Sequence, residues 1–174
     1  MDLKETLKRM AWEYLEREGL PLEVYPNLVR LYAHAAVGWK DARKPKAIRE
    51  LEDEVAPFLA PTERVKGWFL RDVKNLPDLL VEVPLRLLGK ERKDFSEEAW
   101  QRARRLLFRG FSGFEAAIWL LWREEARQGG GWWNVVLNAE RRLGGETAWA
   151  LLLSRAYVML RRRGLEPNPL RPEA

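Results

Sequence analysis

Phe111–Gly131 reads FSGFEAAIWLLWREEARQGGG. From Ala116 to Trp122 seven apolar residues run without a polar break. A helix of that kind is apolar on every side and has to be enclosed by other helices. Seven residues also fall far short of the roughly 20 that span a bilayer. Ser112 followed three residues later by Glu115 has the spacing of a capping box, in which hydroxyl and carboxylate satisfy amides left unpaired at a helix start. Gly129, Gly130 and Gly131 supply the conformational freedom a helix end needs. The stretch therefore predicts a buried helix over 112–128, and the rest of the chain is read as helices packed around it.

Two more helices follow, over 132–143 and 146–163, stopped by Gly144-Gly145 and by Gly164. The second is apolar nearly all round, but Ser154 and Arg155 interrupt it, which argues against a membrane span. Upstream, 97–109 turns Ala99, Trp100, Ala103, Leu106 and Leu107 inward, with Asp94 or Ser96 as cap. At the N-terminal end Leu3, Leu7, Met10, Ala11, Tyr14 and Leu15 recur on one face of a helix over 2–18. Asp2 and Glu5 have capping-box spacing there. Pro26 suits the first turn of a helix over 26–37, ended by Gly38. A helix over 47–59 buries Ile48, Leu51 and Val55. Thr62 is placed to cap a helix over 63–75, with Val65, Phe69 and Val73 inward. Residues 79–88 are ambiguous: their valines suit a strand, but Pro84 does not, so one or two short helices are expected.

The fold class that results is all-α, a compact bundle of about seven to eight helices. Its expected core is the trio 97–109, 112–128 and 146–163. Residues 1–89 form a neutral N-terminal lobe and 90–165 a basic C-terminal lobe, meeting at GKERKD in one unit. Residues 166–174 hold three prolines and read as a loose tail.

The chain has 174 residues, 47% of them hydrophobic and none of them cysteine. That is enough apolar matter for a real core. The missing cysteine removes disulfides, thiolate metal sites and cysteine nucleophiles together. Met1–Met10 lacks the pattern of a secretory leader, so a cytoplasmic location without membrane attachment is expected. The arginine-, leucine- and alanine-rich usage fits a GC-rich genome, so part of the arginine excess is attributable to codon usage, and the lack of cysteine with few Asn and Gln fits a hot habitat.

Formal net charge is +5, and its placement says more than its size. Residues 1–89 carry 15 Lys and Arg against 15 Asp and Glu, whereas 90–174 carry 16 against 11. After Lys93 there are 13 arginines and no lysine. Guanidinium pairs bidentately with phosphate and stacks on bases, as ammonium does not. Arg102, Arg105 and Arg109 share one helix face by their spacing. With Lys90, Arg92 and Lys93 upstream they make a basic stripe suited to a phosphate backbone. In the next candidate, 112–143 is read as two helices in a helix-turn-helix, whose second presents Asn134, Asn138, Arg141 and Arg142. Asn and Arg are the side chains that read adenine and guanine. Arg161, Arg162 and Arg163 end the last helix, where the dipole also favours cations.

These residues lead to a nucleic-acid-binding protein, or a small subunit of a nucleic-acid-handling complex, with no cofactor and no metal. Each feature has a plainer reading as a solvated helix face. Trp and Arg are equally the usual anchors of protein interfaces, so a protein-interaction or assembly module, or a homo-oligomer, is the alternative. A third reading uses the Glu50–Glu54 carboxylates with a divalent cation; ordinary helix-surface pairing with Lys46 and Arg49 also accounts for them. The WKDARKPK loop from Trp39 to Lys46 offers a Trp beside basic residues as a stacking platform. His34, the one histidine, has no acidic partner at local spacing. Phosphate-loop, dinucleotide, zincin and serine-hydrolase motifs are absent, and no enzyme activity is expected.

Overall fold

The structure is a computed structural model that describes residues 2–38, 43–72 and 75–168, the side chains of 68–72 apart. Among the described residues there are nine α-helices and no strand. They are α1 (Leu3–Glu18), α2 (Tyr25–Val37), α3 (Lys46–Val55), α4 (Thr62–Asp72), α5 (Leu76–Leu87), α6 (Glu97–Phe108), α7 (Gly113–Arg127), α8 (Trp132–Leu143) and α9 (Thr147–Arg162). That count is one more than the upper end of the expected seven to eight. Pro57 falls in a short 3-10 turn after α3, and Pro77 lies in the first turn of α5. A proline in a first turn costs no hydrogen bond, since that amide has no intrahelical acceptor. Thr62 lies inside α4 instead of capping it. Phe69 as a side chain, Val73, and Trp39, Lys40 and Asp41 of the basic loop lie outside the described residues, as do 169–174.

α7 is the central element. Ala116, Ala117, Ile118, Trp119, Leu120 and Trp122 are all buried, and so is Glu115. The capping box forms as its spacing predicts: the Ser112 amide donates to Glu115 Oε1 at 2.8 Å, and the Glu115 amide to Ser112 Oγ at 3.1 Å. α7 packs against α2, α5, α6, α8 and α9, with α5 its most extensive partner. The expected trio belongs to the core, since α6 and α9 both pack on α7, but it leaves out α5. One hydrophobic core runs from Leu3 to Leu160 and takes residues from both halves of the chain.

The α5–α7 contact has a specific cause. Pro84 sits inside α5. It has no amide to offer the Leu80 carbonyl one turn earlier. Gly113, the first residue of α7, lies against that carbonyl so closely that a Cβ there would overlap it. The ambiguous segment is thus a single helix whose proline faces the core and whose Leu80 carbonyl meets a residue without a side chain.

A second link joins the halves. α3 begins after Pro45, which gives no side-chain cap. Its first amide, that of Lys46, donates instead to Glu146 Oε1 at 2.5 Å. No helix among the described residues is long and apolar enough to cross a membrane.

Candidate nucleic-acid interface

α6 exists where it does because Ser96 accepts from the Ala99 amide at 3.1 Å and because Ala99, Trp100, Ala103 and Leu106 are buried. That burial turns the 102, 105 and 109 positions outward together. The three differ in what they touch. Arg102 is half-buried, with its guanidinium 5.4 Å from the Trp119 ring centre. Arg105 is exposed and its Nε donates to the Gln101 carbonyl at 3.3 Å. Arg109 is exposed at the end of the helix.

Arg163, just beyond α9, reaches this end of α6. Its Nη2 donates to the Arg109 carbonyl at 3.4 Å, and its guanidinium stands 5.1 Å from the Phe111 ring centre. Arg162 precedes it in the exposed last turn. The contact satisfies one carbonyl left open at the end of α6, yet it leaves the charge of Arg163 uncompensated. Arg105, Arg109, Arg162 and Arg163 have no carboxylate partner among the described residues. Phe108 lies beside Arg109 and is 76% exposed. This first group therefore combines arginines from two helices with an unburied aromatic ring.

The upstream basic cluster does not extend it. Arg92 pairs with Glu97 at 3.2 Å and Asp78 at 3.6 Å, and lies 5.0 Å from the Trp100 ring centre. Lys93 pairs with Glu91 at 3.0 Å, and that hydrogen bond raises its pKa. Arg104 pairs with Asp78 at 3.2 Å, and Trp100 Nε1 donates to the same carboxylate oxygen at 2.8 Å. Asp78, from α5, thus gathers two arginines and a buried indole. Local spacing gives no sign of it, since the partners stand 14 to 26 positions away in sequence. Arg161 is likewise held, by Glu166 at 3.1 Å and the Tyr157 hydroxyl at 3.1 Å, and the Tyr157 bond raises its pKa.

A second group surrounds α8. Lys90, Asn138, Arg141 and Arg142 line a cavity of about 280 Å³ together with Glu124, Glu125 and Gln128. Asn134 Nδ2 donates to Glu125 Oε2 at 3.4 Å. The polar face of α8 is therefore turned toward the acidic end of α7. A helix-turn-helix would need that face clear for a DNA groove, and carboxylates beside it oppose the approach of phosphate. Trp132 packs 4.9 Å from both Trp122 and Tyr157, whereas Trp133 is 68% exposed.

The remaining candidates resolve as follows. Glu50 and Glu54 hold Lys4 at 3.1 Å each, and Glu54 holds Lys8 at 3.2 Å. The Lys4 hydrogen bond is the main cause that lowers both carboxyl pKa values. No acidic and histidine side chains cluster for a metal ion among the described residues. His34 does meet a carboxylate, across two helices: its Nε2 is 3.8 Å from Glu52 Oε2, which Lys44 Nζ holds at 2.9 Å. Burial lowers the His34 pKa, and Glu52 opposes that shift. Phe108 is the residue that sequence reasoning overlooked and had a signal for: it falls off the inward stripe of α6, among arginines. Comparison of the chain with family models, with curated proteins and with solved structures gives no match.

Proposed function

We propose that the chain is a non-enzymatic nucleic-acid-binding protein, or a small helical subunit of a nucleic-acid-handling complex. It holds phosphates through Arg105, Arg109, Arg162 and Arg163. The observation that carries this reading is the junction of α6 with Arg163. Arginines from two helices stand there exposed, without carboxylate partners among the described residues, beside an exposed Phe108. Guanidinium groups that track a backbone and an aromatic ring on which a base can stack are the components of single-strand recognition. Lys90, Asn138, Arg141 and Arg142 form an auxiliary site whose carboxylates restrict it to weaker contact.

The test is titration of labelled single- and double-stranded DNA and RNA at several salt concentrations. Four neutralised phosphates give a log–log salt slope of roughly −3 on single strands and about −3.6 on duplex DNA. Replacing Arg105, Arg109 and Arg163 by Glu is expected to abolish binding. A matched pair makes the test local: Arg92→Ala and Arg105→Ala remove the same formal charge, but only the second removes an unpaired cation. Absence of binding at low salt would sink the proposal.

A protein-interaction module is the second reading. It is favoured by Trp133 and Leu137, one turn apart on α8, and by Leu151 and Val158 on α9, all exposed. A chain that binds no nucleic acid but self-associates, and loses association when Trp133 becomes Ser, would support it.

A further inference from the structure

Phe108 is the most exposed of the large apolar side chains among the described residues, although phenylalanine is among the residue types most often buried. Its position follows from the helix. α6 turns Ala99, Trp100, Ala103 and Leu106 to the core, and at about 100° per residue position 108 then faces solvent together with 105 and 109. Arg105 lies about 60° from Phe108 around the axis and about 40° from Arg109. Arg104 and Arg105 stand one turn before the ring and Arg109 follows it, so its nearest α6 neighbours on the solvent side are cations. Arg163 arrives from beyond α9. Its hydrogen bond to the Arg109 carbonyl and its stacking over Phe111 fix its place. Phe111 is thereby covered and buried, whereas the Phe108 ring stays open.

We propose that Phe108 makes this surface selective for single-stranded nucleic acid over duplex: an unpaired base stacks on its ring while Arg105, Arg109 and Arg163 hold the adjoining phosphates. The inference rests on the nucleic-acid reading of the α6 junction and names its substrate. Size is the first argument. A stable protein interface takes about 800 Å² from each partner, and one phenylalanine offers at most about 250 Å², which suits a single base. Charge is the second. Arg105, Arg109, Arg162 and Arg163 have no carboxylate partner among the described residues, so the group attracts a polyanion. Access is the third. In a duplex both faces of a base are covered by its neighbours, and a side chain reaches them only by wedging a step apart. An unpaired base turns out at far lower cost. The arginines alone do not make this choice, since counterion release per phosphate contact is greater on duplex DNA than on a single strand. Every base has a π face, so DNA and RNA single strands both qualify and base identity matters little.

The experiment titrates the full chain with a fluorescein-labelled single strand of mixed sequence, as DNA and as RNA, with the DNA duplex of that sequence, and with an abasic DNA strand of equal length. The abasic strand keeps every phosphate and has no base to stack. The parent protein is expected to bind the single strands more tightly than the duplex, and the abasic strand roughly 5- to 150-fold more weakly than the ordinary one, the worth of one base stacked on an aromatic ring. Phe108→Ala should lose the same factor on the ordinary strand, lose nothing further on the abasic strand, and keep the parent's salt slope, because no phosphate contact is removed. Phe108→Tyr keeps the π face and should bind as the parent does; Phe108→Leu keeps apolar bulk alone and should bind as the alanine variant does. The position is exposed, so all three variants are expected to fold, which thermal unfolding checks. Binding that depends on salt and on Arg105 and Arg163, but is unchanged in Phe108→Ala or Phe108→Leu, equal on the abasic strand, or tighter on the duplex, overturns this inference and leaves the nucleic-acid reading standing. Absence of binding to every strand at low salt overturns both.

Discussion

Gly113→Ala strikes the α5–α7 contact at its closest point. The added methyl group would overlap the Leu80 carbonyl and press on Leu80 Cβ. Carbon and carbonyl oxygen do not approach closer than about 3.3 Å without cost, so α7 and α5 must part by roughly an ångström or more. The nearest atoms on both sides are backbone, and the interface is the most extensive in the fold. Overpacking costs about 1–3 kcal/mol, and more where nothing yields. Against it stands the preference of a helix for alanine, at most about 1 kcal/mol and smaller at a first position. A net loss of about 2–3 kcal/mol follows, or a fall in Tm of roughly 4–12 °C for a chain of this size. Gly67 is the control. It lies inside α4, and a Cβ added there would meet nothing within 4 Å, so Gly67→Ala should add about 0.5–1 kcal/mol. Urea or thermal unfolding of both variants gives opposite signs for one chemical change. A Gly113→Ala protein as stable as the parent would refute the close approach of α5 and α7.

Asp78→Ala leaves the Trp100 N–H without its acceptor and takes a carboxylate from Arg92 and Arg104; a loss of about 2–4 kcal/mol in urea unfolding is expected, and one below about 0.5 would show the hub to be incidental. Glu146→Ala removes the acceptor of the Lys46 amide, which should cost about 1 kcal/mol and speed hydrogen exchange at the start of α3; unchanged exchange there would count against the cap. Burial holds the His34 pKa below its ordinary 6.5, so the unfolded chain takes up the proton first. Stability present above about pH 6.5 is then lost as pH falls through that value, and His34→Gln should show less of this loss, a comparison that equal pH profiles would contradict.

Local signals in the sequence carried the fold, and tertiary ones escaped it. The capping box at Ser112 and Glu115, the inward stripe of α1 and the glycine stops after α2 and α8 are all one-turn arrangements, and they form where spacing places them. What failed was anything that depends on a second helix. Periodicity cannot show that α5 packs on α7 through a proline and a glycine 29 positions apart. Nor can it show that His34 finds Glu52, or that α3 is capped from the start of α9.

The same limit applies to charge, and it bears directly on function. Arg92, Arg102, Arg104, Arg105 and Arg109 look alike along the sequence, as one basic stripe. In the fold, Asp78 and Glu97 neutralise Arg92, Asp78 neutralises Arg104, and Trp119 takes the face of Arg102. Arg105 and Arg109 remain, and they gain Arg163 from a helix more than 50 positions on. An excess of arginine inherited from genome composition or a hot habitat would spread its effect over the whole surface, so that any one removal weakens polymer binding equally. A site assembled by the fold behaves otherwise: its affinity depends on which cations lack a partner. An isolated peptide of α6 is therefore a poor proxy for the protein, since without α5 its Arg104 would also be free to bind phosphate. The contrast between Arg92→Ala and Arg105→Ala in the intact chain separates these cases, because formal charge is matched and only the pairing differs.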